Sequence, residues 1–293
     1  MQFDDRSIGG KQFWLAEKLW EILKSIRVVR LVACTILLGI GAIQPAHADS
    51  RYSERINEIG LTMGTYSYKE PGLMSLQGFK AGVNLRSTLA NPQRRTFIIS
   101  EVRLAGGTVD YQSNGTGSSS GEPDWYVEGR VLLGNNWSRN GLSNLSSYVG
   151  LGYRYLKNDG RGLTSTGYAG YRRESNYLYL PIGIIHRANL IEGAKLISSI
   201  EYDYLIGGTQ NSQLSDVSPG YSDLENSQST GHGLKLNLQY VTEKWNVGPY
   251  LHYWKIADSD IKPIYLNGSI NGYGLEPQNN TVEIGVELRQ SFD

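Results

Sequence analysis

The residues that most often do chemistry are scarce and scattered in this chain. It has four histidines and one cysteine in 293 residues. Beyond residue 48 the histidines are His186, His232 and His252. No cysteine or carboxylate stands at metal-ligand spacing from any of them, so neither a metal site nor a cofactor is expected. His232 follows Ser227, Ser229 and Thr230. A serine beside a histidine is the start of a hydrolytic constellation, but it needs a held nucleophile and a third group that orients the base. No nucleophile-elbow motif is present. Asp216, Asp223 and Asp258 are acids that, paired with a histidine, would activate water, yet aspartate is common in turns for its own hydrogen bonding. No glycine-rich phosphate loop, Walker sequence or EF-hand loop occurs. The expectation is a chain with no catalytic residue and no enzymatic activity. A hydrolase working through His232 is the rival. His186, beside Arg187, reads as an interfacial residue, and His252 as a hydrogen-bonded structural one.

A stronger pattern lies in the charges. Glu58, Lys80, Arg86, Glu101, Arg103, Glu128, Arg130, Arg154, Lys195, Glu201, Asp203, Lys235, Glu283, Glu287 and Arg289 sit in the middle of otherwise apolar segments. They comprise eight basic and seven acidic residues. Interleaved charges of both signs in a confined space pair with one another, because an unpaired buried charge costs several kcal/mol.

The elements that carry these charges read as strands. Val282, Ile284, Val286 and Leu288 alternate with Glu283, Gly285, Glu287 and Arg289, a period of two. The same period recurs near residues 59–63, 79–85, 98–104, 125–133, 149–155, 177–186, 196–204, 234–240 and 245–253. That predicts ten strands, with eight as the alternative because the first and sixth are the weakest. A tilted strand of about 9–11 residues crosses a bilayer's hydrocarbon core, and a soluble sandwich also alternates, so the connections must decide. Those at Ala90–Arg95, Asn135–Asn144, Ala188–Gly193 and Glu243-Lys244 are short. Those at Ser113–Glu122, Lys157–Arg172, Gly208–Gly231 and Ala257–Asn279 are longer and rich in Ser, Gly and Asn, and Ser113–Gly121 reads as a flexible tract. Glu70–Met74 alone breaks the alternation. Short turns at one end and long loops at the other mark a membrane barrel with turns in the periplasm and loops outside. An even strand count puts both termini on the periplasmic side. Trp125, Trp137, Trp245, Tyr155, Tyr204 and Tyr253 near strand ends suit the two water–lipid interfaces.

Composition agrees. The chain holds 28 Lys+Arg and 28 Asp+Glu, which excludes a basic nucleic-acid binder and an acidic disordered tail. Leu31 to Ile43 is apolar and uncharged, follows Lys24, Arg27 and Arg30, and precedes Pro45-Ala46-His47-Ala48. Basic flank, short apolar core and small residues at an A-x-A exit predict a signal peptide cleaved after Ala48, with Ala46 and Ala48 as the recognised residues. A retained anchor is the alternative, and the run is short for a spanning helix. The expected organisation is a leader over 1–48 and one β-barrel domain over 49–293.

The region 49–293 resembles the bacterial outer-membrane β-barrel superfamily, and no narrower family is recognised. The resemblance is sharpest at the C-terminus, where Val282, Ile284, Val286, Leu288 and Phe292 resemble the recognition strand presented to the barrel-assembly machinery; Gln290 and Asp293 depart from it. The resemblance implies an all-β, antiparallel, up-and-down transmembrane barrel in the bacterial outer membrane. Its implied partners are outer-membrane lipid, lipopolysaccharide and the assembly machinery. Three roles follow for such a barrel: a structural or interaction protein, a narrow passive solute channel, or a surface adhesin or receptor that meets an extracellular ligand at its loops. About eight strands leave room only for side chains inside, and 16–18 leave an aqueous channel. Ten strands with paired charges inside point to a plugged lumen, with a narrow polar pathway as the alternative. Inward glycines such as Gly60, Gly64, Gly82, Gly150, Gly152, Gly248 and Gly285 relieve crowding there. Tyr221 and Tyr265 are candidate loop contacts.

Overall fold

A computed structural model describes residues 54–140, 143–190 and 193–292. The leader, with Ala46 and Ala48, lies outside the described residues, as does Asp293. In chain order the strands are β1 (Glu54–Glu70), β2 (Met74–Asn91), β3 (Thr96–Ser113), β4 (Gly117–Asn140), β5 (Ser143–Leu163), β6 (Ala169–Asn189) and β7 (Lys195–Ser212). There follow β8 (Leu224–Gln228), β9 (Gly231–Val241), β10 (Trp245–Ile256), β11 (Lys262–Leu266), β12 (Ser269–Gly274) and β13 (Asn279–Phe292). Ten of them close into a barrel in the order β1-β2-β3-β4-β5-β6-β7-β9-β10-β13, each antiparallel to its neighbours. The ten predicted strands each lie within one of these, and β1 and β6 pair along both edges, which removes the eight-strand alternative. Closure runs from Asn57↔Phe292 to Lys69↔Asn280, with Leu61 opposite Leu288 and Met63 opposite Val286.

Period-two alternation builds two unlike faces. Outside, Ile59, Leu61, Met63, Phe79, Leu104, Val131, Leu151, Ile182, Ile200, Leu236, Ile284 and Val286 are exposed. They form a continuous apolar belt that only lipid can cover. At its edges Trp125 packs on Tyr155, with ring centroids 5.4 Å apart, and Trp137, Trp245 and Tyr204 are exposed. Phe292 faces out at the end of β13, and Val282 shares that face.

Inside, the barrel is too narrow for a large side chain on every strand. Glycine answers this directly: a Cβ on Gly152 would collide with the Tyr179 ring, and one on Gly183 with Tyr148. Each glycine leaves a neighbouring strand's aromatic ring room to lie across the lumen.

The connections differ from expectation at the long-loop end. Ser113–Gly121 is no flexible loop. β3 and β4 pair out to Ser113↔Gly117, leaving three residues in the turn. Lys157–Arg172 is likewise mostly strand, with β5 and β6 paired to Leu163↔Ala169. Once two strands are in register, extending the ladder satisfies backbone groups that a loop would leave to water. Side chains add to the seams: the Ser118 N–H donates to Ser165 Oγ at 3.0 Å, and Tyr111 Oη bonds Thr116 Oγ1 at 2.7 Å. Where the pairing slips at Val109/Tyr111, Gly121 adopts φ 74° and its N–H donates to Asp110 at 3.0 Å. Gly208–Gly231 and Ala257–Asn279 are also structured. β8 adds to the end of β7, β11 and β12 form a hairpin, and Tyr221 bridges to Leu266.

Candidate functional site

The alternation that turns leucine and valine outward turns the charges inward, where they meet across the lumen in tiers. At the short-turn end β3–β6 contribute an apolar cluster of Phe97, Ile99, Leu132, Tyr148 and Ile185. Facing it, Glu58 accepts from Asn246 at 2.6 Å and lies 3.6 Å from Arg86 and 3.8 Å from Arg289. Arg289 donates to Glu287 at 2.7 Å, and Asn84 donates to the same carboxylate.

The middle tier is the densest. The Lys235 ammonium donates to Glu128 and stands 3.4 Å from both Glu201 and Asp203. Arg130 bonds Glu201 and, at 3.1 Å, Glu101. Tyr148 donates to Glu201 at 2.6 Å, and Tyr179 donates to Glu128. Two cations thus serve four carboxylates, with tyrosine hydroxyls supplying further donors.

Above it, Glu283 accepts from Arg103 at 2.6 Å, Tyr126 at 2.9 Å and Tyr250 at 2.8 Å. Arg103 and Tyr126 come from β3 and β4, so their bonds to β13 cross the lumen, while Tyr250 comes from the neighbouring β10. His252 accepts from Arg103 through Nδ1 at 3.0 Å and packs on Tyr250, a structural role. Lys80 is bonded to Asp124 and sits 3.4 Å from the Tyr66 ring centroid.

Toward the long-hairpin end this packing gives way to a vestibule. Tyr66, Tyr68, Leu76, Asp124, Arg154, Leu156, Asn158, Arg173, Ser175, Tyr177, Gln210, Trp254, Ile256, Asn279 and Thr281 line it, and it encloses about 50 Å³. Arg154 lies 4.5 Å above the Tyr126 ring. At the mouth Arg173 donates to Glu70 at 3.0 Å, and the Tyr68 hydroxyl bridges Glu70 at 3.0 Å and Glu276 at 2.9 Å. One hydroxyl proton cannot serve two carboxylates, so the second bond needs a proton on an acid. Burial, reinforced by Glu70, pushes the Glu276 carboxyl above its ordinary value.

Among the sequence-predicted luminal residues, Lys80, Arg86, Glu101, Arg103, Glu128, Arg130, Arg154, Glu201, Asp203, Lys235, Glu283, Glu287 and Arg289 all face inward. Lys195 does not join them: as the first residue of β7 it is exposed at the rim. Sequence reasoning missed Asp124, Glu70, Arg173 and Glu276. Asp124 keeps step with Glu128 along β4, so carrying the alternation past Trp125 finds it. Glu276 has no such signal, because it arrives on a connection.

The candidate catalytic residues are not brought together. His232 faces outward, its ring stacked on Tyr202 at 6.1 Å and 6.5 Å from Tyr253. The Ser227 N–H donates to Asp260 at 2.7 Å. Asp216 takes two bonds from the Arg172 guanidinium, at 2.8 and 2.7 Å, which hold its carboxyl down to about 2. Asp223 accepts from Ser215 at 2.7 Å, and Asp258 from the Gln278 N–H at 2.6 Å. Asp216 is thus held by β6, and Asp223 and Asp258 within their own connections.

No protein-family model and no curated protein matches the chain. Solved structures do. The outer membrane protease OmpT from Escherichia coli superposes with a TM-score of 0.54 at 12% identity, over 83% of this chain and 97% of that one. The fold is that of a bacterial outer-membrane β-barrel. The translocator domain of the autotransporter NalP from Neisseria meningitidis also matches, with a TM-score of 0.41 and 11% identity over 94% of this chain and 98% of that one. With this fold, the apolar belt lies in the outer membrane. Barrels of this kind turn their short turns to the periplasm, and the vestibule here opens at the other, long-hairpin end.

Proposed function

We propose that this protein is a plugged, non-conducting outer-membrane barrel that acts through its extracellular mouth as a structural or interaction protein. The observation that supports this reading is the middle tier, where Lys235, Arg130, Glu101, Glu128, Glu201 and Asp203 interlock across the lumen with Tyr148 and Tyr179. An ion crossing this tier must displace buried partners, and each broken buried pair costs about 3–5 kcal/mol. The protein inserted in a planar bilayer is expected to give no discrete conductance steps while it keeps heat-modifiable gel mobility. Reproducible steps would replace this reading with a narrow porin, whose ion selectivity would change in Arg103 and Glu128 variants.

The proposal also makes the chain a non-enzyme. Supporting it, His232 stacks in the outward aromatic layer and the rim aspartates are bound into loop structure. A His232→Ala variant is expected to match the parent in any lipid or peptide hydrolysis assay.

A further inference from the structure

Beyond the plugged lumen, we propose that the vestibule is a binding site for a small organic carboxylate, with Arg154 receiving the carboxylate. Three lining residues carry buried donors with no hydrogen-bond partner: Arg154 Nε, Asn158 Nδ2 and Trp254 Nε1. Their residues are 4%, 9% and 3% exposed. All three atoms are donors, and they come from β5 and β10 on different parts of one cavity wall. Buried polar groups are nearly always paired, so a cluster of orphans around one space points to a partner that enters it. A partner that accepts from all three is rich in acceptors, and a guanidinium favours a planar carboxylate.

Arg154 stands apart from the other luminal cations. Lys80, Arg103, Arg130, Lys235 and Arg289 each hold a carboxylate within 4.0 Å. Arg154 has no such partner among the described residues and rests instead on the Tyr126 ring at 4.5 Å. Asp124, the acid in the same wall, is bonded to Lys80, and Glu128, opposite Arg154 on β4, is bonded to Lys235 and not to Arg154. The apolar part of the wall selects the body of the ligand. Tyr66, Leu76, Tyr177 and Ile256 are apolar or aromatic. An anion with an aromatic or aliphatic body satisfies both parts.

The test is isothermal titration of the purified full-chain protein in detergent with benzoate, benzylamine and inorganic phosphate. Benzoate is expected to bind and benzylamine not. Arg154→Met is expected to weaken benzoate by at least about tenfold, as for loss of a hydrogen bond to a charged group. Absence of benzoate binding at millimolar concentration overturns the proposal, as does unchanged affinity in an Arg154→Met protein that keeps heat-modifiable mobility. Phosphate binding as tightly as benzoate overturns the organic class. If Arg154→Met does not fold, Asn158→Asp serves: the added negative charge is expected to abolish benzoate binding, and its retention overturns the site. Conductance is measured separately, so an open lumen and an empty vestibule are distinguishable failures.

Discussion

Lys235 shows why the value of a charge here depends on where it sits. Its ammonium faces three carboxylates in a place closed to water. Replacing it by Met leaves Glu128, Glu201 and Asp203 without their shared cation. The expected loss is about 3–5 kcal/mol in urea unfolding followed by gel mobility. Arg172 makes better hydrogen-bond geometry with Asp216 but lies at the solvent-exposed rim. Arg172→Ala is expected to cost about 1 kcal/mol or less in the same assay. The glycine–tyrosine pairs have their own signature. Gly152→Ala drives a methyl into Tyr179 and is expected to cost about 1–3 kcal/mol. The cost of Gly152→Ala is expected to be smaller in a Tyr179→Leu background than in the parent, because the obstruction is the ring itself.

At the level of elements, the connection carrying Glu276 is the pH-sensitive part. Its carboxyl is raised in the docked arrangement by burial and by Glu70. An acid that binds its proton more tightly when docked than when free favours docking as pH falls through the docked value, and loses that advantage as pH rises above it. The protection factors of the amides in residues 257–279, which divide out the base-catalysed intrinsic rate, are therefore expected to rise from pH 8 to pH 5, and Glu276→Gln is expected to remove most of that rise. This element also marks how far sequence reasoning reached. The strands of the belt were legible because lipid outside and paired charges inside impose a strict period of two, which Val282–Arg289 displays without a break. The hairpin ends were not. Outside the belt neither face is forced to be apolar, so Ser113–Gly121 carries no alternation although much of it is strand. The charged lumen was legible for the same reason as the belt. The vestibule was not, because Arg154 reads like any other inward cation until its lack of a carboxylate partner is seen in three dimensions.

For the molecule as a whole, the two faces answer two different solvents. The exterior is uniform and needs only lipid. The interior is specific, and its contacts join strands far apart in the chain: Glu58 with Asn246, Arg103 with Glu283, Lys235 with Glu128. The backbone ladder alone is a hoop, and a hoop flattens easily. The bonds from Glu283 to β3 and β4 act as spokes. A spoked wheel resists becoming oval, and it also fails differently when pulled. In a hollow barrel, force applied at the C-terminal end peels one strand from its two neighbours and leaves the rest standing. Here, drawing out β13 also takes Glu283 from Arg103 and Tyr126 across the lumen and Glu287 from Asn84 two strands away, so the first force peak in single-molecule extraction belongs to more of the cross-section than one strand.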